Sequence, residues 1–426
     1  MSGRPRAVTV AIGSGLGEDR EARMRVVPVV LAAALLLTAA CQAPAKKDPA
    51  PRPATTGGQR VVGYFADWGV YARNYQVRNV EVSGAAAELT HLNYAFGKVT
   101  DGRCTTSDTW SAYEKPIAAA DSVDGVADVA GTGLRGTFGQ LRKLKARHPG
   151  LRVIWSFGGW TGSTGFTAAV RDPQAFAASC RALLTDPRWA GVFDGIDIDW
   201  EYPNACGLEC DTSGPDALPG LLAALRAELG PVLITAAVPG DLGKLGATDY
   251  ADAAVSADWL SAMTYDFFGT GAGAGPTAPH SPLTAYPGIP RDTATTDATI
   301  NKLIAMGVPA AKVLLGIGFY GRGWAGVGSA APGSPATGPA PGSYEQGMED
   351  YAVLRETCPP TGTIGGTGYA LCRGQWWGYD TPETVTAKMA YARGKGLGGA
   401  FAWELSGDTT DAQLVGAMAA GLRAAK

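Results

Sequence analysis

Residues 194–203 read Asp194-Gly195-Ile196-Asp197-Ile198-Asp199-Trp200-Glu201-Tyr202-Pro203. A β-strand turns successive side chains to opposite faces, so Asp197, Asp199 and Glu201 share one face and Ile196, Ile198 and Trp200 the other. In a barrel the acidic face is the interior. Working outward, short apolar runs recur at residues 61–65, 89–96, 153–157, 192–200, 232–238, 260–265, 313–319 and 399–403. Between them lie stretches with apolar residues three or four apart, such as Leu218, Leu221, Leu222, Leu225 and Leu229, or Ile300, Leu303 and Ile304, the period of an amphipathic helix. Pro149-Gly150, Gly230-Pro231 and Gly394 end these helical patterns. Eight strand–helix units in succession predict an α/β fold, the (β/α)8 TIM barrel.

One interval breaks the rhythm. About 60 residues separate the end of the seventh strand, near Tyr320, from the helix that starts near Pro382, against the ~2–6 of an ordinary connection. The interval is rich in Gly and Pro at 328–342 and contains Cys358, Cys372, Trp376 and Trp377. Its aromatics and possible disulfide favour a small inserted subdomain, placed at 325–379, over a long ordered loop.

The 426 residues are 46% apolar and 18% charged, which suffices for a large core and excludes a mainly disordered, collagenous or coiled-coil chain. A net charge of −3 without a polybasic run gives nucleic acid no footprint. The three histidines, His91, His148 and His280, are scattered, which argues against a His-rich metal centre or a Ser-His-Asp hydrolase. His91, in the second strand, reads as a core histidine.

Arg25 precedes an apolar run at 26–40 that ends Leu37-Thr38-Ala39-Ala40-Cys41. The run is shorter than the ~20 residues of a membrane span, and its small residues before Cys41 are similar to a bacterial lipoprotein signal. Residues 1–41 are therefore expected to be a signal peptide, with 1–23 an upstream start or long n-region, and Cys41 the lipidated residue that tethers the exported chain to a membrane. An ordinary secretory signal cut near the same alanines is the alternative. Residues 42–58 are expected to form a Pro-rich linker, and 59–424 the folded domain that carries the acidic strand. Excluding Cys41, six cysteines remain for an oxidising compartment. Cys206 pairs with Cys210 and Cys358 with Cys372 across short Gly-rich loops; Cys104 and Cys180 are left, either as a third pair or with Cys180 a buried thiol on a helical face with Phe176 and Leu183.

Three carboxylates filed inside a protein repel one another, and at least one must hold a proton near neutral pH. Glu201, at the C-terminal mouth of its strand, is equipped as a general acid. A metal site is the bland rival, but oxygen ligands usually come from a looping backbone rather than one alternating strand, and no metal is expected. Asp194 falls outside the alternation and reads as a support at the strand start.

Residues 194–203 resemble the DxxDxDxE signature of the family 18 glycoside hydrolases, the chitinase family. Ser156-Phe157-Gly158-Gly159-Trp160 resembles the family's SxGG segment, and Met263-Thr264-Tyr265-Asp266-Phe267 its MxYD segment. Gly318-Phe319-Tyr320-Gly321-Arg322-Gly323-Trp324 is similar to its strand-seven end and residues 398–408, with Trp403, to its strand eight, so the resemblance spans 63–408. It implies a bacterial chitinase that acts by substrate-assisted retaining hydrolysis without a cofactor. Glu201 would protonate the glycosidic oxygen. Asp199 would hold the substrate's acetamido N–H, Tyr265 its carbonyl oxygen, and Asp197 would share a proton with Asp199. Trp403 would floor the distorted sugar and Trp160 stack on the leaving-group side, with Trp68 and Trp324 weaker candidates. Tyr64, Asp266 and Arg322 would bind substrate, as would Tyr202 and Met263 from the same motifs. The insertion is similar to the α+β wall of a deep-cleft subfamily, though shorter and richer in Gly and Pro. The expected partner is chitin or N-acetylglucosamine oligosaccharides, met by a monomer. Rivals are an endo-β-N-acetylglucosaminidase, a peptidoglycan hydrolase and, from another class, a chitin-binding lectin; a lectin would typically lack the acid, and Glu201 is present.

Overall fold

The computed structural model describes residues 58–424 apart from 130, 273 and 274; the signal, Cys41 and nearly all of the linker lie outside the described residues. Eight parallel strands, Arg60–Ala66, His91–Thr100, Arg152–Gly158, Gly195–Asp199, Leu233–Val238, Trp259–Ala262, Val313–Gly318 and Gly399–Trp403, follow one another around a barrel. The first pairs with both the second and the eighth, which closes it. Each strand is followed by a helix, and the Leu-rich period noted above becomes Ala217–Leu229, with Leu218, Leu221, Leu222 and Leu225 buried. Strands and helices bury one core between them, while Val62, Tyr64, Ile154, Trp259, Leu314 and Phe401 fill the interior.

Three strands depart from the apolar runs that predicted them. The second continues to Thr100 because it turns back into a hairpin with Arg103–Thr106. The fourth starts at Gly195, not at residue 192: Asp194 accepts from Lys145 Nζ at 2.6 Å and from the Val153 N–H at 2.8 Å, bracing the strand's start. The sixth stops at Ala262, since the Thr264 hydroxyl donates to the Gly316 carbonyl at 2.8 Å and turns the chain away from the ladder.

The insertion forms a second, antiparallel sheet of six strands with one helix, Tyr351–Thr357. Its first strand is Tyr320–Ala325, so the sheet grows directly out of the seventh barrel strand. Trp324, Val327 and Trp376 form its own core, and Trp377 is buried as well. A fully buried ion pair, Lys388 Nζ to Asp380 at 2.6 Å, with Ser281 bonded to both, fastens its end to the barrel. Disulfides join Cys104 to Cys180, Cys206 to Cys210 and Cys358 to Cys372. The first ties the hairpin strand to the helix Pro173–Leu184, which resolves the two readings of Cys180 in favour of the pair.

Candidate active site

Strand register builds the site. Asp197 lies level with Ser156 on the third strand and Thr235 on the fifth. Its Oδ2 therefore accepts from the Ser156 and Tyr64 hydroxyls, each at 2.7 Å, and its Oδ1 from Thr235 at 2.5 Å. Burial raises the Asp197 pKa, and the Thr235, Ser156 and Tyr64 donors pull it back. Two residues on, Asp199 is also buried, and its Oδ1 has no hydrogen-bond partner among the described residues. Burial, then the charges of Glu201 and Asp197, push its pKa well above the ordinary value. Three hydroxyl donors stabilise the Asp197 carboxylate, whereas the Asp199 Oδ1 has no donor among the described residues.

Glu201 stands just beyond the strand end, half-buried at the mouth. Its backbone N–H donates to Ser163 Oγ at 2.8 Å, and that hydroxyl donates to the Gly159 carbonyl at 2.8 Å. Burial raises the Glu201 pKa to about 7; Asp266 acts in the same direction, while the Tyr202 hydroxyl and Lys244 oppose it. Gly158, at φ +113°, lets the third strand's end lie against the fourth: a Cβ there would stand 2.1 Å from the Asp199 carbonyl oxygen.

Tyr265 sits on the loop after the sixth strand, half-buried and edge-on to Phe401 with ring centres 6.0 Å apart; burial raises the pKa of its hydroxyl. Asp266, with φ +56°, is gripped by Arg322 through two bonds of 2.8 and 2.9 Å. Desolvation by its surroundings raises the Asp266 pKa, but the Arg322 guanidinium outweighs it and holds the carboxyl below the usual range. Buried His280 braces this turn, accepting the Asp266 N–H at 3.3 Å and bonding the Tyr320 carbonyl at 3.1 Å.

Trp403, the last residue of the eighth strand, is half-buried and stacks on Phe96, with centres 5.6 Å apart and planes at 20°. Met263 packs into the same interior cluster. Trp160 is 47% exposed and meets Tyr202 edge-on at 6.5 Å; Trp68 is 45% exposed and 6.1 Å from Trp403. Trp324, in contrast, is 1% exposed and packs on Trp376 within the insertion. Tyr64 is as buried, with its hydroxyl spent on Asp197. His91 lies at the opposite end of the barrel against Trp259, its pKa lowered by burial to about 3, so it stays neutral.

Asp197, Asp199, Glu201, Tyr265, Met263 and Trp403 are thus gathered at the C-terminal mouth, with the Asp266–Arg322 pair on its rim. Sequence reasoning missed Thr235, Ser163, His280 and Lys244. A lone hydroxyl carries no spacing signal, and His280 and Lys244 matter only through neighbours far away in the chain. Among the described residues, no group of three or more His, Cys, Asp or Glu side chains is placed to hold a metal ion.

The chain matches the family described as Glycosyl hydrolases family 18 over residues 60–408. It is 58% identical to Chitinase C of Streptomyces lividans over 84% of its own length and 58% of that protein's, and 55% identical to Chitinase 63 of Streptomyces plicatus over 88% and 62%. It therefore spans about three fifths of these curated relatives. Among solved structures, the catalytic domain of the psychrophilic chitinase B from Arthrobacter TAD20 superposes with a TM-score of 0.83 at 34% identity, covering 88% of this chain and 98% of that one. On the match over residues 60–408 and on these likenesses, the chain belongs to family 18 of the glycosyl hydrolases.

Proposed function

We propose that the chain is a chitinase that hydrolyses β-1,4 linkages between N-acetylglucosamine units with the substrate itself as nucleophile. Glu201 passes its proton to the glycosidic oxygen as the C1–O bond breaks, and the acetamido carbonyl oxygen of the same sugar bonds to C1. Asp199 accepts the acetamido N–H and faces the positive charge of the oxazolinium ion; Tyr265 holds the carbonyl oxygen. The Glu201 carboxylate then takes a proton from water, which attacks C1 and opens the ring with the β configuration retained. Asp197, under three hydroxyl donors, one of them Tyr64, shares a proton with Asp199 and takes it when Asp199 turns to the sugar, so that Asp199 meets the oxazolinium ion as a carboxylate. Trp403 floors the reacting sugar with Met263 beside it, Trp160 and Tyr202 receive the leaving group, and Asp266 with Arg322 bonds the sugar at the rim.

The observation that supports this reading best is the buried, unpartnered Asp199 Oδ1 between Asp197 and Glu201. An acceptor that costs this much to desolvate has a use if a substrate N–H completes it. The test is product analysis. Chitin oligomers should yield first products in the β configuration, and fully deacetylated chitosan should not be cut. Efficient cleavage of such chitosan, or an initial α product, refutes it.

The same reading places the enzyme outside the cytoplasm, tethered to the cell membrane through a lipid on Cys41. The support is the run at 26–40, the small residues before Cys41 and the linker after it. Cys41→Ala should move the protein from the membrane fraction to the medium; wild type found wholly soluble with Cys41 unmodified removes the tether.

A further inference from the structure

The turn that follows the acidic strand is closed by the Cys206–Cys210 disulfide and packs on the Glu201 backbone: a Cβ added to Gly207 would stand 2.1 Å from the Glu201 main-chain carbonyl oxygen. Leu208 and Glu209 of this turn line a cavity of about 150 Å³ together with Glu201, Tyr202 and Trp160. Thr161 and Thr164 face the same space. Two further carboxylates reach it, and they differ in kind. Asp211 is spent on the turn itself: Oδ1 accepts from the Thr167 and Ser213 hydroxyls at 2.8 and 2.7 Å, and Oδ2 from the Asn204 and Ser213 N–H groups at 2.8 and 3.1 Å. The Glu209 side chain is exposed and makes no hydrogen bond or ion pair among the described residues. No Lys or Arg lines the cavity; Lys244, whose ammonium stands 3.9 Å over the Tyr202 ring, is not part of its wall.

Resting on the chitinase reading, we propose that this cavity seats the leaving-group sugar and that Glu209 selects one whose 2-amino group is free and cationic. The preferred substrate is then partly deacetylated chitin, cut at the bond between an acetylated sugar and the glucosamine that follows it. The chemistry leaves room for this choice. The acetamido group is needed only on the sugar that donates C1; the leaving sugar contributes its O4, which takes the Glu201 proton as the C1–O4 bond breaks. Its 2-substituent takes no part in the reaction and is open to ordinary recognition. Trp160 offers the apolar platform, the two threonines offer hydroxyls, and Glu209 offers the charge. Because Glu209 is solvated, the pairing is worth what exposed ion pairs are worth, about two- to fivefold in selectivity, and it is screened by salt.

The test compares wild type, Glu209→Gln and Glu209→Lys on two acetylated oligomers that differ only in whether the sugar after the scissile bond carries the acetyl group. Partly acetylated chitosan, with both new chain ends sequenced by mass spectrometry, is the polymer control. The wild type should give acetylated new reducing ends and new non-reducing ends enriched in glucosamine. The ratio of kcat/KM for the two oligomers should fall about two- to fivefold in Glu209→Gln, fall further in Glu209→Lys, and shrink in the wild type at high salt. An unchanged ratio in both variants, or a wild type that disfavours glucosamine at the new non-reducing end, overturns the proposal while leaving the chitinase reading intact. Glucosamine at the new reducing ends, or no cleavage of acetylated oligomers, refutes the chitinase reading itself and this proposal with it.

Discussion

If Glu201 is the proton donor, the pH profile of kcat/KM must carry its signature, because that parameter reports the free enzyme's ionisations. Burial and the Asp266 charge raise the Glu201 pKa from the ordinary 4.5 to about 7, against the pull of Tyr202 and Lys244. The active form is protonated, so activity is full below the limb and lost as pH rises through it. At pH 6 about nine tenths of the molecules hold the proton, against about 3% for an ordinary glutamate, a difference of about thirtyfold. Above pH 7, kcat/KM should fall about tenfold per unit, to roughly one hundredth at pH 9. Initial rates on an acetylated chitin oligomer held well below KM, from pH 5 to 9, measure this directly. Glu201→Gln keeps the shape and removes the proton, so kcat should fall by about 10² to 10⁴, and the alkaline limb of the residual activity should move from its wild-type position. Since Asp199 is close, the limb belongs to the coupled pair. A profile flat to pH 9, a limb near 4.5, or a limb unmoved in Glu201→Gln would each refute the assignment.

Lys244→Gln removes a cation that favours the Glu201 carboxylate, so the alkaline limb should move to higher pH; movement to lower pH contradicts the electrostatics described. On the substrate-assisted reading, Asp199→Asn keeps the side chain's size but loses the negative charge that would face the oxazolinium ion, and kcat should drop by about 10² or more with a smaller change in KM; near-normal kcat would count against the substrate as nucleophile. Gly158→Ala puts a Cβ against the Asp199 carbonyl oxygen at a left-handed φ and should cost about 2 kcal/mol or more, seen as a lower denaturation midpoint together with lost activity. Lys388→Met strands the buried Asp380 carboxylate and should cost about 3–5 kcal/mol. Pairing it with Asp380→Asn should recover part of that loss in the same denaturation experiment, and no recovery would mean that shape, not charge, is responsible.

Much of the molecule was legible in the chain because its signals are periodic and local. Eight apolar runs separated by helical periods specify the barrel, and alternation within 194–203 puts Asp197, Asp199 and Glu201 on one inner face, whatever surrounds them. Gly, Pro and Cys density marked the insertion as a body of its own. The limits of single strands were less legible: Val192 and Tyr265 are apolar enough to extend a run, but the Asp194 carboxylate and the Thr264 hydroxyl bond across to other strands and cut the ladder there. Aromatic residues were legible only as a type. Trp403 and Trp324 both stand on Gly-containing strands, yet the first is half-exposed at the mouth and the second sealed inside the second sheet.

The order of residues thus determines by itself which groups can do chemistry here and on which face of which strand they stand, because side-chain alternation is a property of the backbone alone. Only the tertiary structure decides their protonation. That Thr235, Ser156 and Tyr64 converge on Asp197 while the Asp199 Oδ1 goes unpartnered depends on the register of strands about 40 to 130 residues apart. A carboxylate's affinity for its proton is set by the donors and charges within a few ångströms and by the water excluded around it, and neither exists until the barrel closes.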